Sequence, residues 1–349
     1  MKIFQDIISS LSKELPFVVY KTPNTNKLKG FFQHTNEKYY TKSYQESGFV
    51  FAPFDSNKDT ILIPINKATY VKEEVAFTGV DLNSVDFPLN EKGKEKHITL
   101  VKKGVNAIKE GSFEKVVLSR KEIISLEKLE VVEILQKLIV KYPTAFVYVW
   151  YHPTIGMWLG ATPETLMSIE GESFKTMSLA GTQVFKEGNE VVWEPKEIEE
   201  QEIVTRYIKK KLDPICNELQ IHDLETIQIG NLLHLRTTIT GRFLDSIANL
   251  INVLHPTPAV CGFPKEKSKQ FIIEKEGYDR SFYTGFLGEL NLESDQEVYT
   301  NLYVNLRCME VENSKVSIYV GGGITKDSDE VKEWEETVAK SKAMKSIIT

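Results

Sequence analysis

Strand-forming segments set the main limit on how this chain can fold. From residue 94 onward, apolar, β-branched and aromatic runs predict strands at 115–119, 145–150, 157–160, 164–169, 173–179, 235–243, 285–291, 298–311 and 315–320. Helical periodicity predicts helices at 97–110, 129–142, 195–212, 246–254, 268–275 and 329–348. No internal repeat or low-complexity tract joins them. These elements predict an α+β protein with large antiparallel sheets and helices packed outside.

The first 93 residues differ from the rest of the chain in the length and spacing of their predicted elements. They begin with an amphipathic helix pattern and continue with short strand-like runs at 49–54 and 60–64, separated by polar, turn-rich stretches. The charged segment at 89–94 marks the change to longer helices. We therefore predict a variable part of residues 1–93, integrated into the same fold, and a core of residues 94–349.

Composition excludes several classes of partner. The chain has 349 residues, of which 41% are hydrophobic, and this is enough to bury a large core. Its net charge of -6 gives no general attraction to nucleic acid or anionic membranes, and no segment approaches the roughly 20 apolar residues of a membrane span. Cys216, Cys261 and Cys308 are far apart and odd in number, which argues for a reducing compartment. We predict a cytoplasmic enzyme of small metabolites, with no nucleic-acid or membrane partner.

Three consecutive glycines, Gly321 to Gly323, follow an apolar strand-like run and precede a charged helix. Unhindered glycine amides can line a concavity that attracts a carboxylate or phosphate. In the helix, Glu333, Glu336 and Lys340 fall on one face. This combination predicts a backbone loop for a small acidic substrate, bound partly through a divalent cation. The alternative is a turn followed by a solvated charged helix.

Lys115 opens an apolar run that suits a strand buried on both faces. In a strand, its side chain lies on the same side as Val117 and Ser119 and points inward. Burial disfavours an ammonium group, so an inward lysine can act as a general base near neutral pH. The alternative places Lys115 at the strand mouth with its head in water.

Two further strand ends supply polar groups. Glu164 follows a proline turn and projects from a sheet end, where desolvation would let the carboxyl act as a general acid. Its alternative role is a surface turn residue. Gly181 and Thr182 combine close backbone approach with a hydroxyl that can bond a ligand, although the same pair also suits an ordinary strand exit.

Helical spacing places two acidic residues on the apolar sides of different helices. Glu200 continues the stripe of Val204 and Ile208, and Glu336 continues that of Met344. Carboxylates buried from two helices repel unless a cation lies between them. Mg²⁺ fits this role, since it takes one or two carboxylates and completes its octahedron with water and substrate oxygens. The alternative is salt bridging to lysine or arginine.

Taken together, these segments closely resemble the chorismate-utilising enzymes, and within that family the isochorismate synthases. The matching segments follow the family's order through the last two-thirds of the chain, at 115–120, 160–164, 179–182, 199–200, 234–235, 254–260, 283–285, 306–307, 321–324, 333–336 and 340. The resemblance implies two stacked, mostly antiparallel sheets flanked by outer helices, with the active site in a deep cleft between the sheets. It covers the first ninety residues only loosely.

The resemblance also implies a role for each matched residue. Lys115 resembles the base that activates water, and Glu164 the general acid. Glu200 and Glu336 resemble magnesium ligands, and Glu333 a residue that holds a metal-bound water. The implied substrate contacts are Tyr283 and Arg307 on the pyruvyl carboxylate, helped by the amides of Gly321, Gly322 and Gly323, with Gly181, Thr182 and Lys340 beside the substrate. His234 matches a cleft histidine of the family, although a packed core histidine fits almost as well.

The implied reaction is the magnesium-dependent conversion of chorismate to isochorismate, in which water adds at C2 and the C4 hydroxyl leaves without any organic cofactor. Lys115 stands where anthranilate synthases have glutamine, and Ala180 where aminodeoxychorismate synthases have lysine, so no glutaminase subunit is expected. Salicylate synthases share both residues, so further elimination of pyruvate stays an alternative, as does a catalytically idle dicarboxylate-binding relative. The protein is expected to be a monomer or weak homodimer, serving menaquinone or siderophore biosynthesis.

Overall fold

The computed structural model describes residues 1–75, 80, 87, 91–126, 129–185, 188, 191–229, 232–294 and 297–348. Within this part of the chain there are seven α-helices: α1 (Lys2–Ser12), α2 (Glu91–Lys109), α3 (Val131–Lys141), α4 (Pro195–Leu212), α5 (Ile247–Leu254), α6 (Lys265–Lys275) and α7 (Glu330–Lys345). The same residues form 18 strands: β1 (Phe17–Lys21), β2 (Lys27–Gln33), β3 (Tyr39–Thr41), β4 (Gly48–Ala52), β5 (Thr60–Pro64), β6 (Ala68–Glu74), β7 (Lys115–Ser125), β8 (Phe146–His152), β9 (Gly156–Thr162), β10 (Thr165–Glu170), β11 (Ser173–Val184), β12 (Cys216–Ile229), β13 (Leu232–Phe243), β14 (Gly262–Phe263), β15 (Phe286–Ser294), β16 (Glu297–Val304), β17 (Cys308–Glu312) and β18 (Lys315–Ile324).

These strands form two nine-stranded sheets. The first sheet has the order β14-β7-β18-β17-β9-β8-β1-β2-β6, and the second has the order β12-β13-β11-β10-β16-β15-β4-β5-β3. The strand pairs that the structure describes are antiparallel in both sheets. The predicted α+β class with antiparallel sheets is therefore confirmed.

An aromatic layer fills the space between the two sheets. Phe51 of β4 stacks on Phe282 with 4.2 Å between ring centroids, and its edge meets Trp150 and Trp158 of the first sheet. Both tryptophans are fully buried. Strands such as β8 read as continuous apolar runs because both of their faces are covered.

Helices cover the outer faces of both sheets. Ile7 of α1, Leu135 of α3 and Met344 of α7 share a core cluster with strands of the first sheet. Ile208 of α4 and Ile251 of α5 do the same for the second sheet. The apolar stripes of the helices therefore face the sheets, as their spacing predicts. In the described part of the chain, the helices are too short or too polar to cross a membrane.

Strands from the first 74 residues lie inside both sheets. β1 pairs with β2 and β8 in the first sheet, and β4 pairs with β5 and β15 in the second. Positions 89 and 90 of the segment predicted to divide the chain lie outside the described residues, and α2 begins at Glu91. The division after residue 93 stays a prediction.

The single strand predicted at 298–311 is wrong. β16 ends at Val304 in the second sheet, and β17 begins at Cys308 in the first sheet. The residues next to the crossing, from Leu302 to Val304 and from Cys308 to Met309, are buried, and no glycine or proline interrupts the run, so no strong turn signal marks the crossing. Arg307, at the crossing, has a left-handed backbone with φ 46° and lies between the sheets. The prediction also omitted β12, an edge strand whose residues are mostly exposed and polar.

Candidate active site

A pocket with about 780 Å³ of empty space, part of it continuous with solvent, opens between the two sheets. All of the predicted site residues except Lys115 and Glu333 line it. They come from both sheets and from both helices that carry the predicted metal ligands: Glu164, Gly181, Thr182, Glu200, His234, Tyr283, Arg307, Gly321, Gly322, Gly323, Glu336 and Lys340. Folding therefore brings together residues that lie far apart in the sequence.

Lys115 lies behind this pocket and is fully buried at the start of β7. Its Nζ is 2.9 Å from Oε1 of Glu200 on α4. A Cβ added to Gly323 would lie 2.1 Å from that carboxylate oxygen and 3.0 Å from Cε of Lys115, so only glycine leaves room for the pair. The alternative with the lysine head in water is wrong.

Glu164 is also buried, with 4% of its surface exposed. Burial raises its pKa from the usual 4.5 to about 8, although the ammonium groups of Lys115 and Lys340 act in the opposite direction. The carboxyl group therefore carries a proton at neutral pH, as a general acid must. The alternative role as a surface turn residue is wrong, since the turn faces the pocket.

Each of the three acidic residues predicted at the metal site has a lysine partner. Lys115 pairs with Glu200, Lys196 of α4 lies 2.6 Å from Glu333, and Lys340 lies 2.6 Å from Glu336. The salt-bridging alternative considered from the sequence is therefore present. Of these pairs, Lys196–Glu333 joins the N-terminal ends of α4 and α7, Lys115–Glu200 joins β7 to α4, and Lys340–Glu336 lies within α7.

The pKa values of these carboxyl groups differ. Burial raises the pKa of Glu333 to about 7, repulsion from Glu336 adds to the rise, and Lys196 opposes it. Burial acts the same way on Glu200, but the charges of Lys115, Lys196 and Lys340 outweigh it and hold that pKa below its usual value. Glu200 is therefore the more firmly ionised of these two groups.

The donor set around Gly322 suits a hard divalent cation. Oε2 of Glu333 is buried and has no hydrogen-bond partner among the residues that the structure describes, and it lies 3.2 Å from the position of a Cβ on Gly322. Oε1 of Glu336 lies 3.4 Å from the same point. Among the described residues, no three or more His, Cys, Asp or Glu side chains are grouped closely enough to hold a metal by themselves. Mg²⁺ needs only one or two carboxylates besides water and substrate oxygens, so the residues fit it, and magnesium stays a prediction.

His234 bridges two of the predicted substrate contacts. Its Nε2 is 3.1 Å from Nη2 of Arg307, and its Nδ1 is 3.2 Å from the carbonyl of Gly181. A guanidinium can only donate, so Nε2 accepts, and Nδ1 carries the proton and donates to Gly181. Burial, with Arg307 and Lys340, lowers the pKa of His234 to about 3. This neutral histidine lines the pocket and orients Arg307, so the cleft interpretation holds over the packed-core one.

Gly181 lies at an irregularity between β11 and β13 and has φ 72°. A Cβ at this position would lie 3.2 Å from Cβ of Glu197 on α4. The glycine therefore allows close approach of the helix that carries Glu200, in addition to lining the pocket. Beside it, Oγ1 of Thr182 lies 3.3 Å from Nδ1 of His234.

The three consecutive glycines belong to β18 rather than to a loop, so the predicted loop and its turn alternative are both wrong. They pair with β7 on one side, whereas the pairing of β17 with β18 ends at Ile318. One edge of the strand at Gly321 to Gly323 is therefore open toward the pocket. On that strand, the carbonyl of Gly321 accepts a hydrogen bond from Lys340 (3.1 Å), and a Cβ there would lie 3.1 Å from the hydroxyl of Tyr283.

Sequence reasoning missed Lys196 as a site residue. Helical spacing could have placed this lysine near the site, since it lies four residues before Glu200 and therefore on the same face of α4. The apolar part of the wall includes Ala259, Val260 and Leu306, which lie in the matching segments 254–260 and 306–307 but were given no role. Their place in the wall was not predictable from local sequence, because an apolar residue in a pocket and one in the core look alike in sequence.

Residues 65–349 match the family described as "Chorismate binding enzyme". The chain is 31% identical over 246 residues to isochorismate synthase EntC of Escherichia coli K12. That match covers 67% of this chain and 62% of the relative, so the chain spans less than two-thirds of the relative's length.

Two solved structures share the fold. A protein described as a 2,3-dihydroxybenzoate-specific isochorismate synthase, DhbC from Bacillus anthracis, has a TM-score of 0.81 at 23% identity, covering 99% of both chains. MenF, the menaquinone-specific isochorismate synthase of E. coli, has a TM-score of 0.78 at 19% identity over 96% of this chain and 89% of that one. The stacked sheets with outer helices are thus shared with both. Because the sequence match runs from residue 65 to the end of the chain, the protein belongs to the chorismate binding enzyme family.

Proposed function

We propose that the protein converts chorismate to isochorismate. The observation that carries this proposal is a buried carboxyl, Glu164, whose pKa burial raises to about 8, in a pocket with a buried lysine, Lys115, directly behind its wall. A hydroxyl exchange on a ring needs both a group that gives a proton to the departing oxygen and a group that takes one from water. The family match and the isochorismate synthase relatives support the same substrate.

The cations of the pocket suit a dianionic substrate. Arg307 and Tyr283 would hold the pyruvyl carboxylate beside the open edge at Gly321, and Lys340 would lie near the ring. Lys115 acts as the base and takes a proton from the water that adds at C2. Glu164 gives its proton to the C4 hydroxyl, which leaves as water while the double bonds shift. Water is therefore consumed and released once, and no redox change occurs.

Magnesium is part of the proposal. Glu200 and Glu336 would hold the ion and Glu333 would support it, which requires the lysine partners of these carboxylates to yield. Bound there, Mg²⁺ would draw electron density from the conjugated diene through the ring carboxylate. Lys115 would then lose its pairing to Glu200 and become available to water.

The test is a chorismate assay with and without Mg²⁺, with products separated by chromatography. We expect isochorismate in the presence of Mg²⁺ and none after chelation. Stoichiometric pyruvate and salicylate would replace the proposal by the salicylate synthase alternative. No turnover under either condition would indicate an idle dicarboxylate-binding relative.

The two solved structures are described as specific for 2,3-dihydroxybenzoate and for menaquinone, so a role in menaquinone or siderophore biosynthesis stays a prediction. A cytoplasmic location, a monomer or weak homodimer, and the lack of a glutaminase subunit stay predictions. The three cysteines are free and buried, and the reducing compartment stays a prediction as well.

A further inference from the structure

A buried ion pair lies behind the pocket wall, outside the residues used so far. Arg280 and Glu276 follow α6, and their side chains are 1% and 0% exposed. Nε of Arg280 lies 2.8 Å from Oε2 of Glu276, and Nη2 lies 2.5 Å from Oε1. The pair is therefore bidentate, which fixes the relative orientation of the two planar groups.

Arg280 uses every donor it has. In addition to Glu276, Nη1 donates to the carbonyl of Val260 (2.9 Å) and to Oγ1 of Thr284 (3.2 Å), and Nη2 donates to the carbonyl of Val117 (2.7 Å). A guanidinium has five N–H groups, and these bonds account for all of them. Val117, Val260 and Thr284 all line the pocket. One side chain therefore joins three separate segments of the pocket wall.

Glu276 extends this connection into the strand that begins with Lys115. Its Oε1 accepts hydrogen bonds from the backbone N–H (2.7 Å) and from Oγ (2.8 Å) of Ser119. Ser119 pairs with Gly321 across β7 and β18. The ion pair thus contacts β7 at the residue that pairs with the first of the three pocket glycines.

The loop held by Arg280 has a strained backbone. Ser281 and Thr284 have φ 51° and 60°, a region that disfavours side chains and above all a β-branched one. Tyr283 lies between them, with its ring centroid 5.7 Å from the guanidinium. Such conformations persist only when the surroundings over-determine them, and they concentrate at functional sites. The bond from Arg280 to Thr284 is part of that restraint.

Stability alone does not explain this arrangement, since a buried ion pair can often be replaced by apolar side chains without loss. We propose that Arg280, together with Glu276, is a positioning residue: it holds Tyr283 and Thr284 in the pocket wall against the strand of Lys115. The identity of the ligand that Tyr283 contacts rests on the proposed function, whereas the restraint of Tyr283 and Thr284 by Arg280 and Glu276 does not depend on it.

The test compares Arg280→Lys with the wild type. Lysine keeps the charge but lacks the rigid fork, so the wall segments lose their common partner. We expect the KM for chorismate to rise roughly tenfold or more, with a smaller change in kcat because Lys115 and Glu164 keep their places. In hydrogen–deuterium exchange of the substrate-free protein, amides of residues 281–285 should exchange faster. Glu276→Gln and Ser119→Ala should give the same changes in weaker form.

Lys29→Met is the matched control. It breaks another largely buried ion pair, in which Nζ of Lys29 lies 2.7 Å from Oε1 of Glu289, and neither residue lines the pocket. The control should melt at a lower temperature while its KM and the exchange at 281–285 stay as in the wild type. A similar rise in KM in the control would overturn the inference, because the effect would then come from general destabilisation.

The inference would also be overturned if Arg280→Lys had the same KM for chorismate and the same hydrogen–deuterium exchange at 281–285 as the wild type. If Arg280→Lys does not fold, the test rests on Glu276→Gln and Ser119→Ala. A wild-type KM and wild-type exchange at 281–285 in both variants would contradict the inference. If the wild type does not convert chorismate, the proposed function fails, and the exchange at 281–285 alone decides whether Arg280 positions the loop.

Discussion

At the scale of residues, partners decide which carboxyl group keeps its proton. Glu164 forms no salt bridge with the described residues, and burial raises its pKa to about 8. Glu200 is also buried, but Lys115 at 2.9 Å and two further lysines hold its pKa below the usual value. One pocket therefore contains a carboxyl suited to give a proton and a carboxylate suited to hold a cation.

The raised pKa of Glu164 predicts a stability difference that does not depend on activity. Between about pH 4.5 and 8 the unfolded state has lost this proton while the folded state keeps it, so the wild type loses stability as pH rises through this window. Glu164→Gln cannot ionise and avoids this loss. The difference in melting temperature, variant minus wild type, should therefore be more positive at pH 9 than at pH 4. An equal difference at both pH values would contradict the raised pKa.

The same variant should lose catalysis. An amide cannot give a proton to the departing hydroxyl, so kcat should fall by roughly a hundred- to ten-thousandfold. Chromatographic assays at saturating chorismate measure this. Retained turnover would exclude Glu164 as the acid.

Lys115→Ala should abolish turnover while the fold remains, because the buried amine is the proposed base. Circular dichroism and product analysis measure the two effects separately. Lys269→Met serves as the control, since Lys269 is a buried lysine paired with Asp55 (2.7 Å) outside the pocket, and this variant should stay active. An active Lys115→Ala protein would remove Lys115 from the base role.

At the scale of elements, periodicity predicted helices where an apolar stripe is buried, as Val204 and Ile208 are in α4. The buried face of α6 is mostly polar, with Ser268 and Lys269 beside Ile272, and the predicted start of this helix was three residues late.

Strand ends were less predictable. The crossing at Arg307 lies in a run without glycine or proline, and its flanking residues Val304 and Cys308 are buried, so no strong turn signal marks where the chain passes from one sheet to the other. The glycines of β18 were predicted to form a loop because three consecutive glycines are typical of one. In the structure they leave room for side chains from other elements, and local sequence does not show which side chains approach a strand.

The crowding at β18 gives a graded prediction. Gly323→Ala would place a Cβ 2.1 Å from Oε1 of Glu200, which forces the carboxylate and Lys115 apart. Gly322→Ala meets Glu333 and Glu336 only at 3.2 and 3.4 Å and serves as the matched comparison. We expect a loss in kcat/KM of roughly a hundredfold or more for Gly323→Ala and a smaller one for Gly322→Ala. The reverse order would contradict the described geometry.

At the scale of the whole molecule, the resemblance predicted two stacked sheets with a cleft between them, and the structure has this arrangement. The site residues come together only through it, since Lys115 is in the first sheet and His234 in the second. Sequence reasoning placed them by motif order, and it could not place Lys196 opposite Glu333 because that pair depends on how α4 and α7 meet.

The N-terminal strands should be essential for this architecture. Removal of residues 1–93 would take β1 from beside β8 and β4 from beside β15, which exposes strand edges and the aromatic layer around Trp150. Residues 94–349 expressed alone should therefore aggregate or fail to unfold cooperatively. A soluble fragment with a sharp melting transition would show that the core folds independently.

The central claim is that water adds at C2 of chorismate while the C4 hydroxyl leaves, with Lys115 as base and Glu164 as acid. Turnover in ¹⁸O-labelled water, followed by mass spectrometry of the product, tests it most directly. We predict isochorismate with one ¹⁸O atom, located at C2, and loss of the original C4 oxygen. Product that retains the unlabelled hydroxyl oxygen of chorismate would contradict this account.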